Sequence, residues 1–400
     1  MDDDRATTGG LNRRDLLGLA VSTCAVASVT RGALHASDLP IPASAPLGNL
    51  AALRARVGDL NPAALAASRG LVFGSAISVQ PLRSDPLYRA TNLRACNTFV
   101  HASAFQWHEL QAQPDRPYNF ANADTVCALA RSGGKAIRGH ALLDWAGLPD
   151  WLPPKIIAGT ADQAAELLQD HVSQLVTRYR GQFIQWNVAN EPLNSRGVRP
   201  YAWHQKLGEH YIDLAFQTAH EIDPRTPLAI NQNLVESQGD GQPRTLQNLL
   251  ALVQRLKGRG VPLRSVGIEG HLQSGNPINQ NGLDDFFRAL ARMDVSFMVT
   301  ELDVNDTAFP GNPGTRDADI AVLTRDFLDV CLAQPRCEGV IAWGLTDRYN
   351  WLVKDPKRGR SDGVPQRPTL LDEGYGKKPL WDVVVDAIGR ARGPGRYSIL

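Results

Sequence analysis

The chain has 400 residues, of which 43% are hydrophobic, and its 42 basic and 41 acidic side chains give a formal net charge of +1. Because the charges nearly balance and no basic run or stripe is visible, the sequence does not indicate nucleic acid or another polyanion as a partner. A neutral ligand fits this composition better.

The first 36 residues have the layout of a twin-arginine export signal. Arg13 and Arg14 precede an apolar run that ends near Val29, and residues 33–36 offer small side chains for cleavage. A membrane anchor is the alternative, but the run is shorter than the roughly 20 residues of a spanning helix. We expect a periplasmic or extracellular protein that is free of the membrane after signal removal.

The rest of the chain predicts one large α/β domain. Residues 37–61 resemble an extended leader with a short helix, residues 62–392 a catalytic domain, and residues 393–400 a tail. No linker or repeat divides the domain, and strand-like apolar runs alternate eight times with amphipathic helical stretches. This pattern predicts a single (β/α)8 TIM barrel, which we expect to be monomeric. The predicted strands are 72–77, 98–102, 136–140, 184–189, 228–230, 266–268, 297–299 and 340–343.

Two glutamates stand at the ends of predicted strands. Glu191 follows the fourth strand and Glu301 follows the seventh. A carboxylate at the tip of a buried strand is costly unless it is paired or used, and barrel chemistry is carried at the carboxyl ends of the strands. A surface ion pair is the alternative for either residue. Two such positions predict a paired-carboxylate site for glycoside hydrolysis, which needs neither a cofactor nor a metal ion.

Several motifs follow one another along the predicted barrel: Arg138-Gly139-His140 with Leu148-Pro149-Asp150-Trp151, Asn190-Glu191, Val266-Gly267-Ile268 with His271-Leu272, Thr300-Glu301-Leu302-Asp303, Trp343-Gly344-Leu345-Thr346-Asp347 with Trp351, and Leu371-Asp372-Glu373-Gly374-Tyr375-Gly376-Lys377-Lys378-Pro379. In this order, the segment from about Val72 to Ile388 resembles glycoside hydrolase family 10, the β-1,4-xylanase family. The motif Asn190-Glu191-Pro192 is shared across the whole barrel clan and does not discriminate. The segments Glu301-Leu302-Asp303 and 372–379 do discriminate, and they favour family 10.

The resemblance implies a retaining mechanism with Glu191 as the acid/base and Glu301 as the nucleophile. Asn190 would bind the sugar 2-hydroxyl, although an N-cap or turn residue before a proline is the alternative. His271 and Asp303 would orient the nucleophile and keep it ionised, unless this histidine is a structural one.

The resemblance also implies residues that hold the sugar. His140 matches a sugar-binding histidine of the family, with a core histidine as the alternative. Trp343 and Trp351 would offer flat faces to sugar rings, or else pack the barrel rim.

Cys331 and Cys337 enclose a segment that is similar to a disulfide-bridged loop of some family members, so the resemblance implies a bridge. Two buried free thiols are the alternative for this pair, whereas for Cys96 and Cys127 free thiols are the favoured interpretation and a bridge is the alternative. No clustered Cys/His spacing indicates a metal site.

The chain departs from the family pattern around the glycone subsite. After the second strand the family usually has Glu-Asn-x-x-Lys-Trp, and this chain has Ala102-Ser103-Ala104-Phe105-Gln106-Trp107. After His140 the usual Thr-Leu-Val-Trp-His-Ser-Gln is replaced by Ala141-Leu142-Leu143-Asp144-Trp145-Ala146-Gly147. The usual glutamine of the sixth strand is Glu269.

These departures predict an altered surface for the glycone. We expect Trp107, Asp144, Trp145 and Glu269 to contribute to it, although Trp145 and Gly147 could equally be neutral drift. If Glu269 stays ionised close to the nucleophile, repulsion between like charges raises one pKa and changes the pH profile.

The sequence therefore predicts a secreted retaining endo-1,4-β-xylanase with a polysaccharide substrate. Two alternatives stay open. One is another β-glycanase of the same clan, acting on mannan, β-glucan or a bacterial exopolysaccharide. The other is a carbohydrate-binding pseudoenzyme that has lost its glycone contacts.

Overall fold

The computed structural model describes residues 50–309, 311–395 and 398–399. The predicted export signal and the first part of the predicted leader lie outside the described residues. Within the described part, eight parallel strands form the sheet of the barrel. They are Val72–Ile77 (β1), Thr98–His101 (β2), Ala136–Asp144 (β3), Gln185–Asn190 (β4), Leu228–Gln232 (β5), Ser265–Ile268 (β6), Ser296–Asn305 (β7) and Cys337–Ala342 (β8).

The sheet closes on itself. Each strand pairs with the next along the chain, and β8 pairs with both β7 and β1. The prediction of a single (β/α)8 barrel is thus confirmed. Strands β3 and β7 extend well past their predicted ends. Polar residues such as Glu301 interrupt the apolar runs that indicate strands.

Two short strand pairings lie at the carboxyl ends of the barrel strands. Segment His271–Gln273 pairs in parallel with the end of β7, which places His271 opposite Asp303. A two-residue hairpin, Leu193–Asn194 with Gly197–Val198, follows β4 directly. Both additions bring polar side chains to the mouth of the barrel.

Helices surround the barrel. None of the described helices combines the length and the apolar character of a membrane span. The α-helices are Leu50–Val57, Pro62–Ser68, Val79–Ser84, Pro86–Ala95, Trp107–Leu110, Ala121–Ser132, Leu152–Ala158, Ala161–Arg178, Ala202–Leu207, His210–Ile222, Gln242–Gly258, Gln280–Arg292, Pro313–Leu332, Trp351–Lys354 and Pro379–Arg390, with 3-10 turns at Asp347–Tyr349 and Pro356–Arg358.

Helix Ala161–Arg178 shows how the sequence specifies these elements. The Thr160 hydroxyl accepts the Gln163 peptide N–H, and the Gln163 side chain accepts the Thr160 N–H, which satisfies two donors that the helix start leaves unpaired. Its apolar spacing buries Leu168, Val172 and Leu175 among others, each worth about 1.5–3 kcal/mol. Replacing Thr160 by alanine would cost about 1 kcal/mol.

The described cysteines are free, buried thiols, which corrects the implied bridge between Cys331 and Cys337. Cys331 lies in the last turn of helix Pro313–Leu332, while Cys337 begins β8 and its Sγ lies 3.7 Å from the Gly339 carbonyl oxygen. Burial raises the pKa of the Cys337 thiol to about 12 and also raises that of Cys331, so both stay protonated. Short sequence spacing does not fix the directions of two Cβ atoms, which a disulfide requires.

Candidate active site

A cleft of about 640 Å³ opens at the carboxyl ends of the strands. Its floor contains the predicted residues His140, Asn190, Glu191, His271 and Glu301. Its walls contain the predicted residues Asp144, Trp145, Trp343 and Trp351. The structure therefore gathers residues from five different strands and their loops into one site.

Glu191 is held at the end of β4 with its carboxyl facing the cleft. Its peptide N–H donates to the Asn231 carbonyl oxygen at 2.8 Å, and its φ of +46° is strained for a residue with a side chain. The Trp145 indole N–H donates to Oε2 at 3.0 Å, and Arg199 Nη2 lies 3.4 Å from the same oxygen. Burial raises the pKa of this carboxyl, and the nearby Glu301 charge adds to the rise. Glu191 is therefore suited to donate a proton.

Glu301 lies within β7 and is buried. Asn231 Nδ2 donates to Oε1 at 2.8 Å, and His271 Nε2 lies 3.3 Å from Oε2. Burial opposes ionisation, but His140, His271 and Arg138 together hold the pKa of this carboxyl below its ordinary value. Glu301 is therefore ionised, as a nucleophile must be.

His271 joins the nucleophile to a second carboxylate. Its Nδ1 donates to Asp303 Oδ1 at 2.6 Å, while the other oxygen of Asp303 accepts from Trp351 Nε1 at 2.7 Å and Asn350 Nδ2 at 3.1 Å. Burial opposes protonation of the ring, but Asp303 and Glu301 raise the pKa of His271 well above its usual value. His271 is therefore an imidazolium that donates to a carboxylate on either side.

Asn231, at the end of β5, is a site residue that the sequence analysis missed. Its Nδ2 lies within hydrogen-bond distance of Asn190 Oδ1 at 2.9 Å, Glu269 Oε1 at 3.0 Å and Glu301 Oε1 at 2.8 Å. Its carbonyl oxygen accepts from the Glu191 N–H. The predicted fifth strand ended one residue earlier, and a lone asparagine after it carried no distinctive signal. Asn231 nevertheless connects both glutamates of the site.

Glu269 lies behind the cleft and does not line it, which corrects its predicted role in binding substrate. Its carbonyl oxygen accepts the Glu301 N–H at 2.7 Å, and its Oε2 has no hydrogen-bond partner among the described residues. Burial, reinforced by the charges of Glu301 and Glu191, raises the pKa of Glu269 well above its ordinary value. The expected repulsion is thus relieved because Glu269 carries a proton.

Ligand atoms of Glu269, His271 and Glu301 lie within 4.8 Å of one another, a spacing that a metal ion could span. Metal binding requires a deprotonated imidazole and carboxylates. The two nitrogens of His271 face Glu301 and Asp303, so hydrogen bonding accounts for the proximity of His271 to Glu301.

The family model for glycosyl hydrolase family 10 matches residues 62–387. The chain belongs to this family. It is 33% identical over 325 residues to an endo-1,4-beta-xylanase of Agaricus bisporus, which covers 78% of this chain and 90% of that protein. It is 30% identical over 312 residues to a beta-1,4-xylanase of Dictyoglomus thermophilum, covering 74% and 84% of the two chains. The native xylanase 10B of Thermotoga maritima shares the fold, with a TM-score of 0.74, 24% identity and coverage of 82% and 98%.

Relative to the family pattern, the glycone side of this family 10 site is rebuilt with different contacts. Ala102, Gln106 and Asp144 line the cleft, and Gln106 Nε2 lies 3.4 Å from Asp144 Oδ2. A Cβ added to Gly147 would meet Gln106 Cγ at 2.9 Å, so glycine permits this close packing. Asp144 also accepts the Ala146 N–H.

Trp107 belongs to the core, which corrects its predicted role in binding sugar. The side chain is 3% exposed and its ring stacks on His171 with centroids 3.6 Å apart. Its indole N–H donates to Gln111 Oε1. Trp107 begins the short helix Trp107–Leu110, and that turn directs the ring inward rather than toward the cleft.

Two of the tryptophans that line the cleft, Trp343 and Trp351, are placed differently from each other. The rings of Trp343 and His140 are steeply inclined to each other, at 69°, with centroids 5.2 Å apart. The Arg358 guanidinium lies 4.1 Å from the centre of the Trp351 ring, a contact the sequence did not indicate. The guanidinium of Arg358 therefore lies against one face of Trp351.

Proposed function

We propose that this protein is a retaining endo-1,4-β-xylanase in which Glu191 is the acid/base and Glu301 the nucleophile. One observation carries the proposal. Within a single cleft, the surroundings of the two glutamates shift their pKa values in opposite directions, upward for Glu191 and downward for Glu301. A protonated carboxyl beside an ionised one is the requirement for hydrolysis by double displacement.

In the first step, Glu301 attacks the anomeric carbon while Glu191 gives its proton to the leaving oxygen, and a covalent glycosyl-enzyme forms. In the second step, Glu191 takes a proton from water as that water attacks the same carbon and releases Glu301. Asn190 accepts from Asn187 and Asn231 through its amide oxygen, so its amide nitrogen is the end available to a sugar 2-hydroxyl.

The choice of xylan rests on the family and on its relatives. The proteins named above are xylanases by name, and two of them are at least 30% identical over most of this chain. The open cleft suits cleavage within a polymer, while the rebuilt contacts of Gln106 and Asp144 leave the preferred side groups to be measured.

The test is a substrate panel with a matched inactive variant. Purified protein and its Glu301→Ala variant are incubated with xylan, arabinoxylan, mannan and mixed-linkage β-glucan, and reducing ends and product sizes are measured. We expect xylan to yield short oligosaccharides and the variant to lose about 10⁴-fold in kcat. If the protein hydrolyses only mannan or only β-glucan, that polymer replaces xylan as the proposed substrate. Binding without release of reducing ends would favour the pseudoenzyme.

We also propose that residues 1–36 direct export by the twin-arginine route. The arginine pair and the short apolar run support this. A reporter fused to residues 1–36 should be exported, whereas a fusion with Arg13→Lys and Arg14→Lys should stay in the cytoplasm. Export of the double variant would contradict the route.

A further inference from the structure

Two side chains that the double-displacement scheme does not use converge on one oxygen of Glu191. Trp145 follows the end of β3 and donates to Oε2 at 3.0 Å. Arg199 follows the hairpin after β4, and its Nη2 lies 3.4 Å from the same Oε2. The other carboxyl oxygen, Oε1, takes part in neither contact. The two oxygens of this carboxyl are thus in different surroundings.

Arg199 is itself fixed at several points. Its Nε donates to the Glu191 carbonyl oxygen at 2.8 Å, and its peptide N–H donates to the Pro192 carbonyl oxygen at 2.7 Å. Its guanidinium lies 4.6 Å from the centre of the Trp145 ring, within the range of a cation–π contact. Trp145, Arg199 and Glu191 therefore form a closed set of mutual contacts at the cleft wall.

We propose that Trp145 and Arg199 are positioning residues that determine which oxygen of Glu191 carries the catalytic proton. We call this pair the Glu191 clamp. With two N–H donors aimed at Oε2, a proton on that oxygen would meet donors rather than acceptors, so the proton resides on Oε1. Oε1 is then the oxygen that faces the glycosidic bond. This inference rests on the proposed role of Glu191 as the acid/base.

The clamp serves both steps of the reaction. In the first step the Oε1 proton passes to the leaving oxygen as the bond from that oxygen to the anomeric carbon breaks. Meanwhile the bond from that carbon to Glu301 forms. In the second step Oε1 takes a proton from the attacking water, and the bond to Glu301 breaks. The positive charge of Arg199 stabilises the ionised Glu191 between the steps. The indole N–H of Trp145 does not titrate, so it remains a donor throughout.

Leaving-group dependence separates this role from a general structural one. A dinitrophenyl group departs without a proton, whereas a phenyl group needs general acid assistance, which contributes about 10²–10⁴-fold. Trp145→Phe keeps an aromatic ring, although a smaller one, and removes the N–H donor. For phenyl β-xylobioside we expect kcat/KM of this variant to fall roughly 10- to 100-fold. For the dinitrophenyl substrate, kcat/KM should stay within about 2-fold, while kcat falls because release of the adduct is slowed.

Arg199→Lys keeps the charge and removes the planar fork, so the same pattern should appear with a smaller loss. Matched controls lie outside the cleft. Trp151→Phe removes an indole N–H bonded to the Gln111 carbonyl oxygen at 3.3 Å. Arg178→Lys changes a guanidinium that lies 4.5 Å from the Phe120 ring centre. Both controls should keep wild-type kcat/KM for either leaving group, and thermal unfolding should show that all four variants are folded.

Glu191→Gln, measured with the same substrates, distinguishes the two levels of the proposal. If this variant shows the leaving-group dependence and Trp145→Phe does not, the clamp is refuted and the acid/base role stands. If Glu191→Gln loses equally on both substrates, the acid/base assignment itself fails. An equal loss on both substrates in Trp145→Phe alone would make Trp145 a merely structural residue and overturn the clamp.

Discussion

The two sides of the cleft differ in how densely their polar side chains contact one another. On the side formed by β4 to β7, buried polar groups hold one another: Asn231 contacts both glutamates, and His271 lies between two carboxylates. On the side formed after β2 and β3, Ala102, Gln106 and Asp144 line the wall with few mutual contacts, and Trp145 beside them donates to Glu191. A network in which each group satisfies several others tolerates little change, because a lost partner leaves a buried polar group unpaired. We therefore expect changes in the buried network to affect the rate most, and changes at Gln106 and Asp144 to affect specificity more than rate.

The most disruptive change should be at the centre of the network. Asn231→Asp replaces a side-chain donor by an acceptor where the side chain faces Asn190 Oδ1, Glu269 and Glu301. We expect kcat/KM on xylan to fall about 10³-fold, which corresponds to about 4 kcal/mol of lost transition-state stabilisation. Asn248→Asp is a matched control. Asn248 lies on the outer helix Gln242–Gly258, and its side chain donates to the Asn194 carbonyl oxygen. A fall in kcat/KM of less than about 10-fold in the Asn231 variant would show that the polar network on the β4 to β7 side tolerates the loss of a partner.

Next in size should be loss of the imidazolium. His271→Gln removes the positive charge between Glu301 and Asp303, and we expect kcat to fall about 10²-fold. Because the folded state raises the pKa of His271, its stabilising contribution is fully present below about pH 6.5 and is lost as the pH rises through the raised value. The loss of thermal stability in the variant should therefore be larger at pH 6 than at pH 9. A loss that is constant with pH would contradict an imidazolium.

Glu269 should give a smaller effect that depends on pH. The folded state raises the pKa of Glu269, so its stability contribution is present at acidic pH and is lost as the pH rises toward the raised value. Glu269→Gln keeps the shape without the titration. We expect the variant to gain on the wild type by up to about 1.4 kcal/mol per pH unit above about pH 4.3, measured by denaturant unfolding. If the free energy of unfolding depends on pH in the same way in the variant and the wild type, repulsion from like charges does not raise the pKa of Glu269.

The glycone side should give the smallest effect on rate. Asp144→Asn removes a negative charge that contributes to the raised pKa of Glu191, so that pKa falls and the alkaline limb of the profile moves to lower pH. We expect a shift below about one pH unit and a change in kcat of less than about 3-fold. Product sizes from xylan should change more than kcat does. A 100-fold loss of kcat would show that both sides of the cleft are equally constrained.

Sequence patterns predicted the barrel because eight apolar runs and their helices are local signals, and they predicted both glutamates because each follows such a run. They did not predict which side chains meet. The motif positions of Trp107 and Glu269 predict that both lie in the cleft, but the inward turn at Trp107 and the full burial of Glu269 depend on packing. Arg199 reaches Glu191 through the hairpin after β4, and no sequence signal specifies that contact.

The most direct test of the account is to trap the covalent intermediate. An aryl 2-deoxy-2-fluoro-β-xylobioside with a good leaving group should inactivate the enzyme. The fluorine at position 2 slows both steps, and the good leaving group keeps formation of the covalent adduct faster than its hydrolysis. The account predicts that mass spectrometry will find one disaccharide bound to the protein, on the peptide that contains Glu301. Hydrolysis of xylan with inversion of the anomeric configuration, or a label on a different residue, would contradict it.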